Sequence, residues 1–454
     1  MADNTRPSLN AVAAPLFGEL LLGMVVATVG LYLASHTSDL AAGTFGLTQQ
    51  VLEALFVVFR VLAIGLGIVV TQSLGSGRHE AAKKTAFNAL SASTWAGALV
   101  VALLLFGRPL ILEGLNAPTA VVPLAMSYML VLAPAMLLEV YNTSMAAVLR
   151  AHLFARESLF IMVAMHSSHL LLAVVFMGGV GGWDGWGLNG YAAAYLLSRA
   201  LGLWMHLWFW RNRMDLHPER RHWWALSLPT LGPVLRIGIP GAALELGYRL
   251  AFLVSVSATA RLGVAALATH SYTLQTLKYV MLVSLAIGWA CEIMVGRLVG
   301  AGKLKQADAM VRKGVRNGML ASGSLALIAA MSAPWIMHAF TTDTQIINAA
   351  QTLLWLSVFL ELGRVFNLVV VGTLRAAGDT LYPVMASIAS FVLILGLGSY
   401  LMSRPWGLVG VWLAYVFDEC LRGALMWWRW QRRGWLKHAT AYLQSQRHER
   451  FSAQ

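Results

Sequence analysis

The sequence predicts an all-α integral membrane protein of about twelve transmembrane helices, in two parallel six-helix lobes related by a pseudo-twofold axis along the membrane normal. Three observations carry that expectation: an apolar composition, an internal repeat 225 positions long, and basic residues concentrated on alternate loops. Hydrophobic residues make up 58% of the chain and charged residues 12%, with a mean hydropathy of +0.66. Ordinary soluble domains carry roughly 25% charged residues. Apolar stretches such as 96–106, 161–177 and 392–401 each lie in a window of about 20 mostly apolar residues, enough to cross hydrocarbon as a helix. The period-two alternation of a membrane barrel is absent, which leaves helices as the spanning element.

The elements follow in order. Residues 1–10 are polar, and the apolar run after them is too long for a secretory signal and lacks a cleavage pattern. A first helix near 11–33 is therefore expected to act as its own anchor. The second, near 41–72, is longer than a bilayer needs and predicts tilt or extension into water. Spans near 86–107, 121–146, 158–178 and 187–210 complete an N-terminal lobe over 1–210. The segment 211–232, dense in Arg, His and Trp and holding Pro218 and Pro229, reads as a cytoplasmic linker. A C-terminal lobe over 233–431 then holds spans near 234–259, 265–296, 315–335, 347–372, 382–401 and 407–430, and a basic cytoplasmic tail covers 432–454.

The repeat is legible residue by residue. Val140-Tyr141-Asn142 and Leu149-Arg150-Ala151 recur as Val365-Phe366-Asn367 and Leu374-Arg375-Ala376. At the same offset Pro15 falls on Pro240, Thr48 and Gln50 on Thr273 and Gln275, and Gly75 and Gly77 on Gly300 and Gly302. Trp186 to Gly190 and Trp406 to Gly410 are 220 apart, so one loop is five residues shorter in the second copy. A period of half the chain is a duplicated lobe, not a solenoid.

Basic residues test the span count independently, because Lys and Arg gather on the cytoplasmic side of short loops. One side carries Arg78, Lys83, Lys84, Arg150, Arg156, Arg211, Arg213, Arg220, Arg221 and Arg236, then Arg297, Lys303, Lys305, Arg312, Lys313, Arg316, Arg375 and the tail. The other side holds Arg108, Arg261 and Arg404. Both termini are thus expected in the cytoplasm, with an even number of spans per lobe. Copies that enter the membrane in the same sense are related by an axis along its normal, as in transporters of two parallel lobes. Two such lobes around a central cleft can rock, which is the motion alternating access requires. The net charge of +13 is accounted for by loop edges meeting anionic lipid, so no nucleic-acid partner is implied. Cys291 and Cys420 both fall inside spans, which leaves no disulfide framework or metal site to read.

These features resemble the multidrug and toxic compound extrusion (MATE) transporters over nearly the whole chain. The resemblance rests on Pro15 and Gly238-Ile239-Pro240, on 263–270, and on the glycine-basic turns 74–78 and 299–303. Its most specific carrier is Gly372-Thr373-Leu374-Arg375-Ala376-Ala377-Gly378-Asp379-Thr380. The resemblance implies a secondary active antiporter that exports organic, often cationic, drug-like compounds in exchange for H⁺ or Na⁺ by alternating access. Its partners would be a small organic substrate and membrane lipid, with no cofactor beyond the coupling ion. It is expected to work as a monomer in the plasma (inner) membrane and not to be an enzyme. Read without the family, the glycine turns end long helices where a residue with positive φ costs glycine nothing.

Intramembrane charges are costly unless paired or hydrated, so they mark function. Candidates for the coupling ion are Glu245, Glu361, Glu292 and Glu19. A carboxylate away from water takes up a proton, or a cation in its place, more readily than one in solution. Glu245 leads because it follows Pro240 by five positions and the family often carries an acid there; its alternative is a pair with Arg249, one turn along. Glu361 has the same alternative with Arg364. Many bacterial members carry an aspartate where Thr28 stands, and Glu19 lies more than two turns earlier, which shifts weight to the second lobe. Glu139, Arg364 and Arg249 are the gating or charge-pair candidates. Glu139 and Arg364 are equivalent at the 225 offset, which suggests a bridge between lobes that breaks on opening.

Gln50, Gln275, Asn142 and Asn367 are repeated amides, read either as interhelical hydrogen-bonding groups or as substrate contacts. His166 and His169 are open to titration near neutral pH or to packing as hydrogen-bonded residues. Trp204, Trp208, Trp210, Trp223, Trp224, Trp427, Trp428 and Trp430 read as an interfacial belt. The alternative function is a lipid-linked oligosaccharide flippase of the same broad architecture, which should line its cleft with arginines for pyrophosphate. The intramembrane bases here lie near matching acids instead. An embedded enzyme should show a motif such as His-Glu-x-x-His, and the sequence has none.

Overall fold

The computed structural model describes residues 8–179 and 181–451; most of the polar start over 1–10 and the last residues of the basic tail lie outside the described set. The helices of the first half are α1 (Leu9–Thr37), α2 (Asp39–Gly75), α3 (His79–Phe106), the short α4 (Arg108–Gly114), α5 (Val122–Ala151), α6 (Ala155–Gly178) and α7 (Leu188–Met214). The second half holds α8 (Leu228–Ala260), α9 (Val264–Gly300), α10 (Leu304–Met331), the short α11 (Ala333–His338), α12 (Thr344–Ala376), α13 (Leu381–Ser390), α14 (Ser399–Gln431) and α15 (Gly434–Phe451). A π-helical segment, Phe391–Gly398, joins α13 to α14. Within α14 the helix breaks at Gly407 (φ 54°, ψ −135°), so Leu381–Gln431 carries the eleventh and twelfth spans.

Nine helical segments among the described residues qualify as spans on length and hydropathy alone, with Leu381–Gln431 counted once. The other two long helices fall short because of charge. Arg199, Arg211 and Arg213 sit in α7, and Lys305, Asp308, Arg312, Lys313 and Arg316 in the first half of α10. The layout fits twelve spans in two lobes.

The chain forms two compact units. One comprises Gly18–Val70 and Arg78–Gly238; the other comprises the segment ending at Phe17, Thr71–Gly77, and the chain from Ile239 onward. The core of the first gathers Phe59, Leu62, Leu66, Tyr128, Met129 and Met136. That of the second gathers Leu353, Leu354, Phe391, Leu395, Trp412 and Tyr415. Large apolar side chains such as Leu171, Leu253 and Val392 stand exposed, as hydrocarbon solvent allows.

The glycine turns divide their work between two positions. Gly77 (φ 74°) and Gly302 (φ 71°) adopt the left-handed conformation that ends the helix. Gly75 and Gly300 stay helical; a Cβ at Gly75 would strike the Arg297 carbonyl and one at Gly300 the Gln72 carbonyl. They let the ends of α2 and α9 touch backbone to backbone.

The linker is docked on α3. Asn88 donates to the Ser227 carbonyl (3.0 Å) and accepts from the Ser227 amide (2.7 Å). His222 stacks on Phe87 at 4.2 Å, and Trp223 meets Tyr141 edge-on at 5.0 Å. The tail is also structured, since α15 buries Trp435 and Ala439. Trp435 stacks on Trp430 (4.4 Å, 11°). Two residues of the expected interfacial belt are thereby reassigned: Trp210 and Trp430 are fully buried, whereas Trp204, Trp208, Trp224 and Trp428 are exposed. Trp430 is drawn inward because its indole donates to Asp308 Oδ1 at 2.8 Å.

Candidate functional site

The densest set of intramembrane charges lies inside the second unit, between α12 and α14. Residues Glu361, Arg364 and Asn367 follow one another at helical spacing on α12, and Asp418, Glu419 and Arg422 do so on α14. The helices can bring these groups together because Gly363 and Gly423 lie at their crossing. A Cβ at Gly363 would stand 2.8 Å from the Cys420 amide nitrogen, and one at Gly423 2.7 Å from the Gly363 carbonyl oxygen.

Arg364 is shared: it donates through Nη1 to Glu361 Oε1 and through Nε to Glu419 Oε1 (3.4 Å). Arg422 Nη2 lies 2.7 Å from Asp418 Oδ2 and 3.0 Å from Glu419 Oε2. Asn367 Nδ2 donates to Glu419 Oε2 (2.7 Å) and to its carbonyl (2.9 Å). Ser390, the last residue before the π-helical segment, donates to Asp418 Oδ1 at 2.6 Å, and Phe391 lies under the Arg422 guanidinium at 4.6 Å. Short π-helical stretches recur at functional sites.

All six side chains are buried, Glu361 completely. Glu361 Oε2 and Asn367 Oδ1 have no hydrogen-bond partner among the described residues. The cluster sets three carboxylates against two guanidiniums. In a medium of low dielectric that imbalance calls for one more positive charge. A proton or a monovalent cation on a carboxylate supplies it.

Two further pairs hold the repeated Leu-Arg-Ala segments. Arg375 Nη2 donates to Glu292 Oε2 at 3.1 Å, and Arg150 Nη1 to Glu19 Oε2 at 3.1 Å. Gly372 makes room for the first, since a Cβ there would lie 2.9 Å from Glu292 Oε2. Glu292 and Glu19 are thus tied to arginines of these segments. Within the first unit Glu139 pairs with Arg199 at 2.5 Å, and the Arg199 guanidinium covers the Tyr195 ring at 4.0 Å.

Of the other sequence candidates, Glu245 is one-third exposed and bonded to Arg249 at 3.2 Å, the pairing expected as its alternative. Glu139 and Arg364, read as partners across the repeat, each hold partners inside their own unit: Arg199 for the first, Glu361 and Glu419 for the second. Asn142 donates to the carbonyls of Leu138 and Arg199, both at 2.9 Å, and Asn367 belongs to the charged cluster. Gln50 is exposed. Gln275 lines an apolar groove of about 360 Å³ with Tyr279, Leu325 and Phe340. His169 is fully buried and packs edge-on against Tyr191 (4.6 Å) and Tyr195 (5.2 Å). Its contacts are thus chiefly with the faces and edges of those two rings. No metal-holding group of three or more His, Cys, Asp or Glu occurs among the described residues.

Asp418, Glu419 and Arg422 fall inside the span expected near 407–430 and are intramembrane charges on that ground, but nothing in the sequence joins them to Glu361. The available signal was the acidic pair followed at i+3 and i+4 by an arginine, a spacing that places all three on one helix face.

The architecture and the repeat are matched in known proteins. The MatE family model matches residues 15–175 and 242–400, one stretch in each half. The uncharacterized transporter YisQ of Bacillus subtilis is 27% identical over 446 residues, 97% of each chain. The probable multidrug resistance protein NorM of Thermotoga maritima is 22% identical over 424 residues, 92% of this chain and 91% of the relative. Among solved structures, the Vibrio cholerae MATE transporter VcmN in its bent form aligns with a TM-score of 0.86 at 18% identity, over 96% of this chain and 97% of that one. With its duplicated lobes both matched, the chain belongs to the MATE family of membrane transporters, and it is a transporter, not an enzyme.

Proposed function

We propose that this transporter exports small organic, drug-like cations in exchange for H⁺ or Na⁺ by alternating access, and that Glu361 binds the coupling ion. The observation that carries this reading is the excess carboxylate in a fully buried cluster. With Glu361 ionised, Arg364 serves two acids. Once an ion neutralises Glu361, Arg364 is left to Glu419 alone. An ion that binds one of these arrangements better shifts the protein towards it, and a substrate that favours the other competes with the ion. The relation to a protein named as a probable multidrug resistance protein supports drug-like substrates. The reading takes the chain as a monomer in the plasma (inner) membrane with both termini in the cytoplasm. The loop charges support that orientation.

The test is transport of an organic cation by purified protein in liposomes, with a proton or a sodium gradient imposed separately. Wild type should transport with one gradient, Glu361→Gln should lose the gradient dependence while still binding substrate, and Glu245→Gln should keep it. Full gradient-coupled transport by Glu361→Gln would sink the assignment. Wild-type transport that ignores both gradients would sink the exchange itself.

A further inference from the structure

The second unit has an open groove of about 440 Å³ beside α10, walled by Met319, Leu320, Phe366 and Trp427 and carrying Arg312 and Arg316 at one end. Arg312, Arg316 and Leu320 are spaced by four residues, so they form one stripe along α10, about 12 Å from first to last. The stripe continues away from the arginines through Leu327, Ile328 and Met331, all exposed. One end of this surface is therefore cationic and the rest is greasy.

The charges at that end are incompletely matched. Arg312 is held by Asp308 (Nε to Oδ2, 3.0 Å) and faces the Trp427 ring at 5.5 Å. Arg316 is exposed and has no acidic partner among the described residues. Like charges one turn apart on a helix repel, and Asp308 neutralises only one of them. An anion placed at Arg316 relieves that repulsion, and a ligand that also covers the apolar walls gains their burial.

We propose that this groove binds one anionic phospholipid, its phosphate on Arg316 and Arg312 and an acyl chain along Leu320 towards Met331. A free phosphate would leave the apolar walls uncovered, an organic cation would be repelled by the arginines, and the choline of a zwitterionic lipid would offset the attraction. Each arginine should favour the anionic lipid by about fivefold.

The experiment is native mass spectrometry of the full chain released from detergent, titrated with phosphatidylglycerol or phosphatidylcholine of matched acyl chains, with inorganic phosphate as competitor. The first phosphatidylglycerol should bind more tightly than the first phosphatidylcholine. Arg316→Gln should cut that preference about fivefold without lowering the melting temperature, since the residue is exposed. Leu320→Trp, which fills the groove, should weaken both lipids. Equal binding of the two lipids by wild type would overturn the proposal, as would an undiminished preference in Arg312→Gln/Arg316→Gln. Displacement of the lipid by millimolar phosphate would reduce the site to an anion site and overturn the acyl contact.

Discussion

Arg150 and Arg375 occupy equivalent places in the two copies, 225 residues apart, and each donates at 3.1 Å to a glutamate, Glu19 buried and Glu292 partly buried, but the glutamates come from helices that are not equivalent. Glu19 is on α1, whereas Glu292 is on α9, the counterpart of α2. The repeat therefore conserves the donor and not the acceptor. Removing one partner of a largely buried pair strands the other, at a cost that reaches about 3–5 kcal/mol when burial is complete, whereas replacing both with apolar groups is often neutral. Arg375→Met should lower the melting temperature of the detergent-purified protein sharply, and Glu292→Met/Arg375→Met should recover most of the loss. A double variant as unstable as the single one would show that the segment needs the ion pair itself.

The close crossing of α12 and α14 is what builds the charged cluster, and it depends on Gly363. A methyl group there meets backbone, which has no rotamer to yield. Gly363→Ala should force the helices apart, cost about 1–3 kcal/mol, and lower gradient-driven transport. The control is Gly43→Ala, whose Cβ meets nothing within 4 Å; it should leave both melting temperature and transport unchanged.

Lys278 is exposed well inside α9, where it donates to Gln275 at 3.4 Å. An ammonium facing lipid near mid-helix costs about 2.5–3.5 kcal/mol, so its exposure indicates contact with water. In a background without Cys291 and Cys420, Lys278→Cys should react with a charged, membrane-impermeant thiol reagent. Leu253→Cys, on an apolar exposed face of α8, should not react. Protection of position 278 would mean that the lysine side chain reaches water only by extending along the helix.

The docked C-terminal helix offers a stability test away from the membrane interior. Asp379 of the Gly-Asp-Thr turn is buried and takes Arg429 at 2.8 Å, with His438 of α15 at 3.7 Å. Trp435 seals this contact by stacking on Trp430. Truncating a buried Trp costs about 3–5 kcal/mol. Trp435→Ala should destabilise the second unit and speed amide exchange along α15, while Trp428→Ala, at an exposed position, should do neither.

The lobe count and the repeat were legible because hydropathy and alternate-loop charge act through one helix at a time, and every span needs them. Partner choice was legible only within a helix. The spacing of Glu245 and Arg249, or of Glu361 and Arg364, announced their pairs. Arg199 for Glu139, Glu419 for Arg364 and Glu292 for Arg375 come from helices far off in sequence, and a helix face carries no label for the neighbour it will meet. The same limit explains Trp430: its position at a helix end suggested the interface, but Asp308 and Trp435 bury it. The excess carboxylate follows from the joining of α12 and α14, so neither helix alone shows the imbalance.

That imbalance makes Arg364 the most discriminating residue to change conservatively. Its guanidinium reaches Glu361 with one nitrogen and Glu419 with another, a geometry that the planar fork of arginine provides and the single ammonium of lysine does not. Arg364→Lys keeps the charge, so the sum over the cluster is unchanged, yet one of the two carboxylates loses its donor. If coupling depends on net charge alone, the variant should transport as wild type does. If it depends on one cation passing between two acids, gradient-driven transport should fall by about tenfold or more, the scale expected when a charged hydrogen bond of about 1.5–3 kcal/mol is lost. Substrate binding without a gradient should persist in that case. Measuring both in the same liposomes separates the two, and wild-type coupling in Arg364→Lys would remove the shared arginine from the mechanism.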